Sequence, residues 1–145
     1  MSSKLFVNLA VKHLDKSIEY FTQLGYTFNP KFTDKTATCM IFNENTYFML
    51  LSEEKFKSFT SKSMCDTSKS VEAFLAVSVD SRKAVDDIAE KALAAGGSSA
   101  GETEDYGFMY SIPIADLDGH NWNYFYMDMD AFDKVKSGEK PQTVN

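Results

Sequence analysis

The stretch DLDGHNWNYF, Asp116–Phe125, gathers the side chains of this sequence best suited to chemistry. Asp116 and Asp118 flank an acidic turn and His120 follows at once, so carboxylate and imidazole lie close enough for general acid–base work or for holding an ion. The same residues also have a purely structural reading. In an Asp-Leu-Asp-Gly hairpin turn the aspartates accept backbone N–H groups, Gly119 takes a positive φ, and His120 begins the next strand at the surface. That reading predicts a turn and no catalyst. Past it, Asn121, Asn123 and Phe125 alternate along an aromatic-rich strand, which puts two carboxamides on one face. Amides are poor metal ligands and weak bases, yet one buried unpaired costs about 1–3 kcal/mol. Asn121, Asn123 and the similarly placed Asn8 therefore predict partners: one another, water, or a bound polar group.

Other candidates are fewer. Tyr106 lies in the acidic, glycine-containing segment EDYGFMY and Tyr110 follows it, so either phenol is a candidate ligand contact at a pocket mouth. His13 falls at a strand-to-helix corner and is expected to face solvent. Cys39 reads as a small buried hydrophobe and Cys65 as part of a polar connector. Two isolated cysteines make neither a disulfide framework nor a zinc pattern. The chain carries no G-x-G-x-x-G, G-K-[ST] or G-x-S-x-G motif.

Positioning these residues takes one domain's worth of chain, or two small modules: 145 residues, 43% hydrophobic and 14% aromatic, enough to bury a core without staples. The net charge of −6 is spread along the chain, which disfavours nucleic acid and anionic membrane surfaces as partners. No apolar run reaches the ~20 residues of a membrane span, and the opening MSSKLFVNLAV lacks a signal peptide's apolar core and cleavage site. A cytoplasmic protein is expected.

Period-2 and period-3.6 patterns give the elements. LFVNLAV, Leu5–Val11, is a strand with Leu5, Val7, Leu9 and Val11 on one face and Phe6, Asn8 and Ala10 on the other. A helix follows with Leu14, Ile18, Phe21 and Leu24 inward, Asp15 as N-cap and Gly25 as terminator. Strands are expected near Tyr26–Phe32, at Thr36–Phe42 and at Thr46–Ser52. Residues 53–70 read as a polar connector in which Phe56 and Phe59 are spaced as on a helical turn. The order then repeats: a strand at Glu72–Val79, a helix capped by Ser81 with Val85, Ile88, Ala89, Ala92 and Leu93 inward until Gly96-Gly97, a short strand near Ser98–Glu102, and strands at Phe108–Ala115 and from Asn121 to about Met127. Strict alternation assigns Trp122, Tyr124 and Tyr126 to the helix side. FVNLAV aligns with FLAVSV, and NENTYFML with DLDGHNWN, as expected of an internal duplication. The boundaries are residues 1–52, first βαβββ module; 53–70, connector; 71–129, second module; 130–145, polar tail, frayed beyond Lys134.

NLAVKHLDKSIEYFTQLGYTF near the start and YSIPIADLDGHNWNYF near the end, joined by this element order, resemble the vicinal oxygen chelate superfamily of glyoxalases, bleomycin-resistance proteins and extradiol dioxygenases. The whole chain resembles the bacterial predicted lactoylglutathione-lyase-like subgroup. The resemblance implies an α+β fold in which two βαβββ modules form a curved mixed sheet, a half-barrel with helices outside, and it implies a homodimer. In metal-using relatives each module supplies one ligand, usually His or Glu, from its first strand and one from its last. Carried over, those positions fall on Phe6, Leu50, Phe74 and Asn123. Three hydrocarbon side chains and one amide cannot hold a divalent cation, so the expectation is no metal and no cofactor. A shifted register would bring Asn8, Glu44, Glu53, Glu72, Asp80 or His120 near the site.

The expected function is metal-free binding of a small, partly aromatic molecule in the concave face, with Phe6, Asn8, Phe48, Leu50, Phe74, Tyr106, Tyr110, Asn121 and Asn123 as its contacts. Two rivals remain. One is a metal-dependent lyase, isomerase or dioxygenase using displaced ligands such as His120 with Asp116 or Glu53. The other is a protein whose cup is plugged by Phe6, Phe48 and Phe74 and which acts by contact with a partner.

Overall fold

The structure, a computed structural model, describes residues 3–138. The chain divides into two compact units, Met1–Asp66 and Thr67–Asn145, each built on its own mixed sheet.

In the first unit, β1 (Leu5–Val11) leads into α1 (Leu14–Gln23), then β2 (Thr27–Asn29), a short 3-10 turn at Pro30–Phe32, β3 (Ala37–Ile41), β4 (Thr46–Ser52) and α2 (Glu53–Lys57). The sheet order is β1-β4-β3-β2, with β1 parallel to β4 and the other pairs antiparallel. The α1 cap differs from expectation. His13, exposed as foreseen, is the N-cap and makes no side-chain cap bond, while Asp15 lies in the first turn, where its charge meets the positive end of the helix. Gly25 ends α1 at φ +103°, with its own N–H on Thr22 O and the Tyr26 N–H on Phe21 O, the paired bonds of a Schellman stop. The buried stripe of α1 is Ser17, Tyr20, Phe21 and Leu24, whereas Leu14 and Ile18 are half-buried. Pro30 cuts β2 to three residues because its ring cannot donate to a ladder.

The second unit runs β5 (Phe74–Ser78), α3 (Arg82–Ala94), β6 (Ser98–Ser99), β7 (Glu104–Asp105), β8 (Met109–Ala115), β9 (Asn121–Met127) and α4 (Met129–Lys136). β5 is parallel to β9, β9 antiparallel to β8, and both β6 and β7 pair with β8. The Ser81 hydroxyl caps α3 by accepting the Ala84 N–H at 3.0 Å, and Gly96 at φ +110° ends it. Val85, Ala89 and Ala92 are buried against the sheet, but Leu93, expected inward, is 50% exposed because it falls off the stripe as the helix turns toward its stop. Trp122 and Tyr124 are buried on the helix side. The expected tail begins inside a helix: α4 (Met129–Lys136) takes in residues 130–136 of it and is capped by the Asp128 carboxylate, which accepts the Ala131 N–H at 3.1 Å. Residues 139–145 lie outside those described.

Candidate functional site

Pairing register decides which side chains share a face. In the first unit Phe6 stands beside Tyr47, Asn8 beside Met49 and Ala10 beside Leu51, while Val7, Leu9 and Val11 stand beside Phe48, Leu50 and Ser52. Leu9, Val11, Phe48 and Leu50 are core. Phe6 and Asn8 are exposed on the opposite face, where the Phe6 ring stacks on Tyr47 at 4.9 Å. Phe48 and Leu50, expected as ligand contacts, are therefore on the wrong face. The last-strand residue that neighbours Asn8 is Met49, one position earlier than expected.

α2 packs against β1 and β4, and the turn after it carries Phe59 three residues beyond Phe56. The Ser52 hydroxyl starts this helix by accepting the Lys55 N–H at 3.2 Å, and the Phe59 N–H continues the turn onto Phe56 O at 3.1 Å. Spacing of three places the two rings on one side. Together with Asn8 and Thr60 they wall a pocket of about 460 Å³, of the size that takes a small organic molecule. Phe56, Phe59 and Thr60 are not among the contacts expected from the sequence. The signal for them was the i, i+3 aromatic pair in a segment otherwise polar enough to pass for linker. The Asn8 Nδ2 donates to Phe6 O at 3.2 Å.

In the second unit Phe74 stands beside Asn121, Ala76 beside Asn123 and Ser78 beside Phe125, so Phe74, Asn121 and Asn123 do share a face. Phe74 is 66% exposed. The amide spacing predicts a partner for each carboxamide, yet the Asn123 Oδ1 is buried with no hydrogen-bond partner among the described residues. Tyr110 lies on the other side. It pairs with Tyr126, its hydroxyl donates to Asp86 of α3 at 2.5 Å, and the Arg82 guanidinium sits 5.0 Å from its ring centre. The bond to Asp86, aided by burial, pushes the phenol pKa up. Tyr106 projects from the turn between β7 and β8, where its hydroxyl donates to Glu104 at 2.8 Å and its ring stacks loosely on Phe108. Arg82 fixes this turn: it donates twice to Asp105, at 2.6 and 2.9 Å, and once to Gly107 O at 3.3 Å. The Arg82 bonds, with the Gly107 N–H, hold the Asp105 carboxyl down at about 2.

The acidic turn is a scaffold. Asp116 Oδ1 accepts the N–H groups of Asp118 and His120 at 2.9 and 3.0 Å, and Oδ2 accepts the Trp122 indole N–H at 2.9 Å. Burial pushes the Asp116 pKa up, against the opposing pull of His120 and these donors. Gly119 takes φ +81° as expected. His120 does not begin the strand at the surface: it is 5% exposed, with Nδ1 2.6 Å from Glu72 Oε1. A buried imidazole needs a polar neighbour, and the chain before β5 supplies it.

Cys39 is buried, and burial raises its thiol pKa; neither it nor Cys65 is in a disulfide. Among the described residues no three His, Cys, Asp or Glu side chains are grouped so as to hold an ion, and no helix is long and apolar enough to cross a membrane.

The model of the Glyoxalase/Bleomycin resistance protein/Dioxygenase superfamily matches residues 5–124. No curated protein matches the chain. Among solved structures it is similar to a hypothetical protein from S. aureus, with 26% identity, TM-score 0.73, and 87% of this chain and 94% of that one covered. It is similar also to a glyoxalase-related enzyme from Fulvimarina pelagi, with 17% identity, TM-score 0.73 and coverage of 87% and 88%. A glyoxalase/bleomycin resistance protein/dioxygenase family enzyme from Burkholderia phytofirmans shares 16% identity at TM-score 0.69, covering 84% and 96%.

Proposed function

The chain belongs to the glyoxalase/bleomycin resistance protein/dioxygenase superfamily, and we propose that within it this protein binds a small, partly aromatic molecule without transforming it. One observation carries the reading: the pocket of about 460 Å³ walled by Phe56 and Phe59 and edged by the polar groups of Asn8 and Thr60. Two rings supply apolar area to bury, at about 25 cal/mol per Å², and the polar edge supplies orientation. The face that holds Asn8 carries Phe6, Tyr47 and Met49; the corresponding face of the second unit carries Phe74, Asn121 and Asn123. Hydrocarbon, amide and thioether groups, with one phenol already donating to Glu44 O, do not fit the hard divalent ion that the family resemblance implies. The subgroup resembling lactoylglutathione lyase, a cytoplasmic setting and a homodimer belong to the same reading.

A metal-dependent enzyme with displaced ligands is the second reading, favoured by the approach of His120 to Glu72 beside Asp116. Against it, the Asp116 carboxylate is already committed to two backbone N–H groups and an indole. Two measurements separate the readings. Protein purified without chelator is expected to contain no stoichiometric zinc, nickel, manganese or iron, and finding one rejects the binder. In a thermal-shift screen of aromatic fragments, a ligand at a hundredfold excess over its dissociation constant stabilises by about 2.7 kcal/mol. That stabilisation is expected to shrink in Phe59→Ala; a screen without hits rejects the pocket.

A further inference from the structure

We propose that this pocket selects planar aromatic acids bearing a hydroxyl or amino donor at the end of the ring system away from the carboxylate. The inference rests on the pocket being a ligand site and names what its walls accept.

Each polar group around the pocket has hydrogen-bonding or charge capacity to spare. The Asn8 amide nitrogen spends one of its two N–H donors on Phe6 O, and the carboxamide oxygen stays open as an acceptor. The Thr60 Oγ1 accepts the Lys62 N–H at 3.0 Å, so its proton is left to donate. Lys55 holds its ammonium 5.5 Å from the centre of the Phe59 ring, at the edge of a pocket wall. The nearby carboxylate that feels this cation, Asp34, accepts the N–H groups of Thr36 and Ala37 and the Thr36 hydroxyl on Oδ1, and it makes no ion pair with Lys55 among the described residues. Asn8 and Thr60 thus offer an amide acceptor and a hydroxyl donor beside two rings, and the Lys55 cation stands next to one of those rings. A bare hydrocarbon would displace water from Asn8 and Thr60 and return nothing. A flat acid with a distal donor satisfies all three: the donor on Asn8, the carboxylate on Thr60 and Lys55, the ring between Phe56 and Phe59.

The test is isothermal titration of the full chain at neutral pH with 6-hydroxy-2-naphthoate, 2-naphthoate and 2-naphthol. The hydroxy acid is expected to bind about tenfold tighter than either partial probe. Asn8→Leu should abolish its advantage over 2-naphthoate and keep that over 2-naphthol, and Lys55→Gln should do the reverse. Both side chains are exposed, so both variants are expected to retain the wild-type unfolding midpoint. Equal affinity for all three probes, or variants that leave the ranking unchanged, overturns the selectivity and spares the pocket. No heat from any probe at millimolar concentration overturns both.

Discussion

At the scale of single residues, Asp116 and Gly119 do the most with least. One carboxylate satisfies three donors from Asp118, His120 and Trp122, and an amide in its place has only one oxygen with which to accept. Asp116→Asn is therefore expected to cost about 1–3 kcal/mol of unfolding free energy, read as a lower urea midpoint at unchanged slope. Gly119 is constrained twice. Its φ of +81° suits no β-carbon, and one added there would meet Thr67 Oγ1 at 2.8 Å. Gly119→Ala is expected to cost about 1–2 kcal/mol from the left-handed backbone alone, with the contact adding to it. The penalty should be smaller in a Thr67→Ala background, and a double-mutant cycle in urea measures the difference. An additive cycle would place all of the cost in the backbone.

At the scale of elements, the pin between α3 and the β7–β8 turn is electrostatic and reports on pH. Arg82 holds Asp105 at about 2, below the ordinary carboxylate value, so the pair's contribution is complete above pH 3.8 and is lost as pH falls through about 2. Arg82→Ala should raise the Asp105 midpoint toward 3.8 in a carboxyl NMR titration; a midpoint that stays near 2 would assign the depression to the Gly107 N–H instead. Elements marked by local periodicity were legible in the sequence: the alternation of LFVNLAV, the Ser81 cap, the glycine stops, the turn at Asp116–Gly119. Whatever depended on distant pairing was not. The parity of Phe48 and Leu50 is set by the register of β4 against β1, which no local pattern carries. His120 is buried, and the Glu72 that approaches it comes from another part of the chain. Tyr110 is claimed by Asp86 of α3. α2 has five residues in polar text, so the helical spacing of Phe56 and Phe59 reads there as part of a connector and not as a pocket wall. In the first unit this left Asn8 on the expected face and hid Phe56, Phe59 and Thr60; in the second it set Phe74, Asn121 and Asn123 on one face.

At the scale of the whole molecule, β1 and β5 each end their sheets, and each carries exposed apolar residues, Leu5 and Phe6 on one and Phe74 on the other. Edges of this kind invite a second copy of the chain. Light scattering behind a sizing column is expected to give twice 16.3 kDa, about 33 kDa; a mass of one chain would retire the homodimer. The placement of sulfur and indole also equips the molecule with two intrinsic reporters. Both cysteines precede the boundary after Asp66, and the sole tryptophan, Trp122, follows it. Alkylation of the sheltered Cys39 thiol, counted peptide by peptide, times the opening of the first unit, while indole emission times the second. Superimposed denaturation curves would mean one cooperative transition, and separated ones would rank the two units by stability, without a single engineered label.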